Sequence, residues 1–356
     1  MILQDAQIVL GVTGGIAAYK AIDLSSKLVQ AGASVDVIMT EAATQFVAPL
    51  SFQTITKHPV SLDMFRLLHD MDIAHISLAK KADLVIIAPA TANTIAKLAN
   101  GLADNLLTTT VLATTAPLLI APAMDADMWA NPITQRNVEI LQGRGVTFVG
   151  PGYGRLASGR VGAGRLVSTP EIMGAMRQTL GRNGPLAGLR LTVTAGGTQE
   201  PLDPVRHLGN RSSGRMGYAL AESARDYGAQ VALIAAPNCL PPVYGVEMIS
   251  VRTASEMHAA VMKRLDNSDI LIMAAAVADY RPARVAEQKI KKGEGLLTLS
   301  LERTQDILGA VSRMPAGERP RLVVEHLPIT CLRLFNARVK LAQKRLDLLV
   351  ANDVSA

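Results

Sequence analysis

The sequence predicts an α/β chain built as two doubly wound, Rossmann-like domains with mostly parallel sheets. Three observations predict it. Short apolar runs that read as buried strands alternate with helical stretches. The pattern restarts in mid-chain. The chain has 356 residues, 49% of them hydrophobic and only 19% charged, which is enough for two cores.

In the first half, "QIVLGV" (7–12) is an apolar run ending in glycines, and a helical stretch follows from about Ile16 to Ala31. "SVDVIMT" (34–40) alternates into a second strand. "ADLVIIAPA" (82–90) is apolar throughout, as expected of a strand covered on both faces. The uncharged stretch 105–124 contains Pro117, Pro122 and five threonines. It reads as a helix ending near Ala116 and a buried strand over 117–121, not as a membrane span. "VTFVG" (146–150) closes the set. The restart is "GLRLTVTAGGTQE" (188–200), followed by a helix over about 214–227. Further strands are predicted at 230–237, 269–280, 321–324 and 346–353. The boundary falls near "GRNGPLAGL" (181–189), giving domains 1–188 and 189–356 that are not sequence repeats of each other.

Aromatics make up 3% of the chain, too few for a base-stacking nucleic-acid surface. The net charge is +6; residues 1–188 carry 14 basic and 13 acidic side chains, and 189–356 carry 22 and 17. That excess suits a phosphate-bearing small ligand, and equally a mixed solvated surface. Two isolated thiols, Cys239 and Cys331, form neither a disulfide framework nor a metal site and suggest a reducing, cytoplasmic setting. The start, "MILQDAQIVLGVTGG", has an acid at Asp5 and no basic leader, so no signal peptide is expected.

"GVTGGIAAYK" (11–20) is a strand, a glycine turn and a helix start. Free N–H groups there favour an anion, and glycines admit a phosphate closely. It is neither G-x-G-x-x-G nor a Walker A loop, so an ordinary glycine turn is the alternative. Ligands of parallel sheets bind beyond the carboxyl ends of strands. Those ends carry Thr40, "APATANT" (88–94) and "APAMDADMWANP" (121–132), small hydroxyl, amide and proline residues that shape a pocket for a flat ring. His75 leads into a helix ahead of the 82–90 strand. "RLASGRVGAGRL" (155–166) holds three Arg, three Gly and no acid, and reads as a loop. In the second half, "TAGGTQEPLDPVRHLGNRSSGRMG" (194–217) is rich in backbone donors, hydroxyls and Arg, a composition suited to phosphates.

These motifs resemble the bifunctional phosphopantothenoylcysteine decarboxylase/phosphopantothenate–cysteine ligases of coenzyme A biosynthesis, over nearly the whole chain. The first half is similar to the homo-oligomeric, flavin-containing cysteine decarboxylases. The resemblance implies that Gly14, Gly15, Ile16, Thr40, Pro89, Ala90, Thr91 and Asn93 hold FMN, that His75 is catalytic, and that 155–166 is a clasp closing over substrate. It also implies the chemistry. Oxidation of a cysteine thiol to a thioaldehyde creates an electron sink, decarboxylation gives an enethiolate, and reduction back to a thiol then needs a proton donor. Two catalytic positions depart from the pattern: Asp125 stands for an Asn, and Ser158 for the clasp cysteine that donates the proton. A serine hydroxyl is a far weaker acid than a thiol of pKa about 8.5. Any decarboxylation is therefore expected to stall at the enethiol or to be slow.

For the second half, the resemblance places Asn210 on a catalytic Asn that handles an acyl-cytidylate. Ala275, Asp279 and Lys289 fall on nucleotide-contacting positions, and Lys340 and Lys344 on a triphosphate-binding pair. The reaction implied is activation of a carboxylate by CTP with Mg2+, with Asp279 as the candidate metal contact, then capture by the amine of cysteine. Departures occur here too. "EHLPITCLRLF" (325–335) replaces a Gly-Phe-Ala-Ala-Glu-Thr segment, with His326 at the position of a Phe and Pro328 expected to interrupt the strand. "TQD" (304–306) replaces Asn-Pro-Asp, and the final sheet segment of the family is expected to be missing. Weak ligation follows from these changes. The partners expected are a small thiol or phosphopantothenate substrate and a nucleotide, with no nucleic acid and no membrane. A homo-oligomer is expected as well, trimer-based and up to a dodecamer, because family flavins lie between subunits. Besides the coenzyme A enzyme, two readings stand: a diverged homologue acting on another thiol such as a peptide C-terminal cysteine, and a non-catalytic flavin-binding or regulatory paralogue.

Overall fold

The computed structural model describes residues 2–64, 74–292, 296–315, 317–329 and 334–353. It divides into two compact units, Met1–Leu180 and Gly181–Ala356.

The first unit is built on β1 (Gln7–Val12), β2 (Ser34–Met39), β3 (Leu84–Ala90), β4 (Leu118–Pro122) and β5 (Thr147–Phe148). They form one sheet in the order β2-β1-β3-β4-β5, with every ladder parallel. All seven residues of β3 are buried, as its unbroken apolar run requires. The helical stretch after β1 starts as a 3-10 turn, Ile16–Tyr19, before the α-helix Lys20–Gln30. The uncharged stretch holds the helix Leu106–Ala113, capped by the Asn105 side chain, and then β4. Among the described residues no helix is long and apolar enough to cross a membrane.

One expectation is corrected here. Residues 155–166 are not simply a loop: β6 (Gly152–Arg155) and β7 (Val161–Arg165) pair as an antiparallel hairpin whose tip is 156–160. The glycines that hid the strand are there for closeness. A Cβ on Gly162 would sit 2.7 Å from Ala126 Cβ, and one on Gly164 would overlap the Met124 carbonyl oxygen. β7 lies directly against the turn after β4, and Met124 N donates to Gly164 O at 2.9 Å.

The second unit contains β8 (Arg190–Ala195), β9 (Gln199–Pro201), β10 (His207–Gly209), β11 (Gln230–Ala235), β12 (Glu247–Ser250), β13 (Ile270–Met273), β14 (Tyr280–Pro282), β15 (Leu301–Arg303), β16 (Leu322–Ile329) and β17 (Leu348–Asp353). Six of them form a parallel sheet in the order β12-β11-β8-β13-β16-β17, while β9–β10 and β14–β15 are small antiparallel pairs. The chain order reverses between β8 and β13, which opens a crevice at the sheet's carboxyl edge. The strand expected over 269–280 ends at Met273. The strand expected over 321–324 runs on to Ile329, straight through Pro328, so the proline does not interrupt it. Beyond Glu325, β16 pairs only with β17, so a residue without an N–H is tolerated there. Cys331 lies outside the described residues.

Candidate active sites

The first site lies at the carboxyl ends of β1, β2 and β3. A hydroxyl fastens two of them together. Thr13 Oγ1 donates to Pro89 O at 2.7 Å and accepts from Thr91 N at 3.0 Å. Thr91 in turn caps the helix Ala92–Asn100, its Oγ1 accepting from Thr94 N, and Thr40 caps Glu41–Thr44 in the same way. Both caps prefer Thr because a side-chain oxygen satisfies an N–H that the helix leaves unpaired. Gly14 is packed tight: a Cβ there would overlap Ala42 Cβ and lie 2.7 Å from the Ala42 carbonyl carbon. Gly15 is the opposite, with nothing nearer than Thr91 Cγ2 at 3.9 Å. Ile16 and Asn93 are exposed at the rim. His75 sits in the first turn of Ala74–Lys81, and its buried Nδ1 has no hydrogen-bond partner among the described residues.

The hairpin carries the second part of this site. Ser158 Oγ, at its tip, donates to Asp125 Oδ2 at 2.6 Å. Arg160 pairs with Asp127 and stands 3.9 Å from Asp125 Oδ1. The Ser158 bond first, then the Asp127 backbone N–H and the Arg160 charge, hold the Asp125 carboxyl below the usual carboxylate range. Asp125 is therefore an anion, able to accept hydrogen bonds and unable to donate one.

At the hairpin's base, Lys20 and Arg165 line a cavity of about 640 Å3 together with Tyr19, Tyr153 and Ser168. Burial, then the nearby Arg165 charge, lowers the Lys20 ammonium from its ordinary value. No acidic side chain among the described residues forms an ion pair with either cation. Asp23 and Glu171 also line this cavity, hydrogen-bonded to Thr169 and Ser168, so Lys20 and Arg165 offer an anion two cations that these acids do not pair with.

The second unit holds a cavity of about 1150 Å3 at the switch point of its sheet. Asn210, Ala275, Asp279, Lys340 and Lys344 all line it, as the resemblance implies. The turn after β13 is fixed by Thr194, whose hydroxyl accepts from Ala274 N and Ala275 N, each at 3.1 Å. Asn210 Nδ2 donates to Ala276 O at 2.9 Å. Asp279 is exposed, its backbone oxygen taking the Thr304 N–H at 2.9 Å. Lys289 is not among the lining residues. Its neighbour Ile290 is strapped to Asp203 and Arg206, at 3.1 and 2.9 Å. Both expected phosphate lysines are occupied by the chain itself: Lys340 pairs with Glu325 at 2.6 Å, and Lys344 pairs with Asp306.

Residues 3–181 match the family model described as Flavoprotein, and 186–356 match the DNA/pantothenate metabolism flavoprotein C-terminal domain. The chain is 47% identical over 357 aligned positions to the coenzyme A biosynthesis bifunctional protein CoaBC of Bacillus subtilis, covering 99% of this chain and 87% of that one. This chain belongs to that bifunctional family. To the protein of the same name from Mycobacterium tuberculosis it is 46% identical over 362 positions, covering 98% of this chain and 86% of the other. A solved mutant PPC decarboxylase complexed with pantothenoylaminoethenethiol is 34% identical, covers 49% of this chain and 97% of that one, and superposes with a TM-score of 0.45.

The flavoprotein half has a cradle that fits a flavin. Gly15 leaves open space, the 3-10 turn begins there, and His75 has a buried nitrogen without a hydrogen-bond partner among the described residues. In the bifunctional family's second half, among the described residues no three His, Cys, Asp or Glu cluster to hold a metal. The sequence reading singled out neither Thr13, Lys20 nor Glu325, and took Arg165 only with the other two arginines of 155–166, as a group to meet the phosphate or carboxylate. Thr13 and Lys20 stand inside the quoted glycine motif, and Arg165 is one of the three arginines at the hairpin. Glu325 gave no signal beyond standing where a Gly was expected.

Proposed function

We propose that the first half decarboxylates 4'-phosphopantothenoylcysteine with FMN, and that the second joins phosphopantothenate to cysteine using CTP. The observation that carries the first reaction is the open Gly15 cradle, walled by the Thr13–Pro89–Thr91 bonds. Gly14, Gly15, Ile16, Thr40, Pro89, Ala90, Thr91 and Asn93 are the residues that hold FMN in this reading. FMN bound there supplies the capacity to take an electron pair from the substrate thiol and return it. The unpartnered His75 nitrogen is free to handle a proton. Lys20 and Arg165 suit the substrate's phosphate. Asp125, held as an anion, repels the substrate carboxylate that an amide would bind. Ser158 lines the site but is too weak an acid to protonate the last intermediate.

The expected product therefore lacks carbon dioxide and two further hydrogens. Mass spectrometry of the products of purified protein and phosphopantothenoylcysteine tests this. Fully reduced phosphopantetheine at a rate normal for such enzymes would overturn the role given to Ser158. Untouched substrate from a yellow protein would favour the second reading, a different thiol such as a peptide C-terminal cysteine. That reading is favoured by the Asp125–Ser158 pair, since an enethiol-forming enzyme needs no clasp thiol.

In the second half, Asn210 would face an acyl-cytidylate, and Asp279 would be the protein's contact to a Mg2+ carried by the triphosphate, whose charge the metal would offset. Apolar side chains near the cradle, Ile16 at 62% and Tyr153 at 77% exposure, support a homo-oligomer built around the flavin half.

A further inference from the structure

Glu325 is the last residue of β16 that pairs with β13, opposite Met273, so it stands at the carboxyl edge of the sheet over the large cavity. Its side chain is buried, with 8% of the residue exposed. One oxygen accepts from Lys340 Nζ at 2.6 Å; the other, Oε2, is buried with no hydrogen-bond partner. Lys344 is likewise tied to Asp306. Burial alone would raise the Asp306 carboxyl, but the Lys344 hydrogen bond, with the Gly309 N–H and nearby charges, brings it below its ordinary value. The two ammonium groups on this side of the cavity thus meet carboxylates already in place. The lining cations left without an ion pair among the described residues are Arg211, Arg215 and Arg303.

We infer that Glu325 is a specificity-determining residue that acts as a built-in substitute for the outer phosphates of a nucleotide. This rests on the reading of the cavity as a nucleotide site. A triphosphate entering here must share the part-exposed Lys340 ammonium with Glu325, which brings its outer phosphates against a buried carboxylate already in place. A nucleoside monophosphate, or a nucleotide acylated on its single phosphate, makes no such demand. Its one phosphate lies with Arg211 and Arg215, and the Glu325–Lys340 pair stays intact. The cavity therefore gains little from the outer phosphates and holds the monophosphate level of nucleotide about as well as the free triphosphate.

Calorimetric titration of the whole chain with CMP and with CTP, each with magnesium present, tests this. The wild-type protein is expected to bind the two within about threefold of each other. Glu325→Gln, which frees Lys340 without removing the side chain's bulk, is expected to tighten CTP by about tenfold and leave CMP unchanged. A wild-type preference for CTP of about tenfold or more overturns the inference. So does a variant whose CTP affinity does not move while CMP still binds. Binding of neither nucleotide to either protein overturns the nucleotide reading itself, and this inference with it. If the variant does not fold, the wild-type ratio alone decides.

Discussion

Ser158 Oγ and Asp125 Oδ2 share a 2.6 Å hydrogen bond across 33 residues of sequence. These are the two catalytic positions of the first half at which the resemblance implies a departure from the family's motif, and they touch. A hydroxyl and a carboxylate make a charge-assisted bond; a thiol with a carboxylate, or a hydroxyl with an amide, makes a weaker one. The two changes form a matched pair that pins the hairpin tip to the turn after β4.

Reverting one partner alone therefore restores less than reverting both. Ser158→Cys is expected to yield some fully reduced product. Ser158→Cys with Asp125→Asn should yield more than the two single changes together predict. Product ratios under single turnover, read by mass spectrometry, give the coupling. Strict additivity would mean that the bond has no part in the reaction.

Two neighbouring glycines should separate folding from cofactor retention. Gly14→Ala drives a methyl into Ala42 and is expected to destabilise the first unit by about 1–3 kcal/mol. Gly15→Ala meets only open space and should leave the melting temperature within a degree or two, roughly. Its methyl occupies the cradle, so the purified protein should lose its yellow absorbance. Thermal unfolding and a visible spectrum of each variant are the measurements.

Gly164→Ala tests the hairpin. Its methyl would overlap the Met124 carbonyl, which is backbone and cannot swing aside. The hairpin must lift from residues 124–126, breaking the Met124–Gly164 bond and the Ser158–Asp125 bond together. Limited proteolysis should then cut within 156–160 at a rate at least severalfold above wild type, with flavin still bound.

Much of this was legible in the sequence, and the failures have physical causes. The first sheet was, because β3 is buried on both faces and so is apolar at every position. The hairpin was not, because its strand β7 alternates glycine where a strand pattern needs side chains; the glycines answer to the backbone they lie against. Pro328 reads as a break because proline removes a ladder donor, and only pairing shows that β16 has a single neighbour there. The positions of Asn210, Ala275 and Asp279 at one cavity follow from motif resemblance. The occupation of Lys340 by Glu325 does not, since nothing local announces a contact across 15 residues.

Lys20→Met removes one of two cations, neither of them in an ion pair among the described residues, from a cavity that Asp23 and Glu171 also line. With phosphopantothenoylcysteine, KM should rise about tenfold while the rate at saturation stays within about twofold, as for lost uniform binding. A substrate without the phosphate should show no change in KM. Equal effects on both substrates would place the phosphate elsewhere.

The pH dependence of the second unit should carry a mark from Asp203. The Arg206 guanidinium, then the backbone N–H groups of Val205, Arg206 and Ile290, hold its carboxyl far below the usual range. A depressed folded-state pKa adds stability above the unfolded value, near 4, and that stability drains away as the pH falls below it. Asp203→Asn should thus be less stable than wild type at neutral pH. The gap should narrow steadily below about pH 4. Denaturant midpoints taken across that range would show it; a constant gap would deny Asp203 this role.

Thr13 has spent its one hydroxyl donor on Pro89 and accepts from Thr91 before any cofactor arrives. The walls of the cradle are thus part of the folded core, and a flavin meets a vessel already set. A protein stripped of its cofactor would keep that vessel, accept fresh flavin without refolding, and take up altered flavins whose rings match its shape.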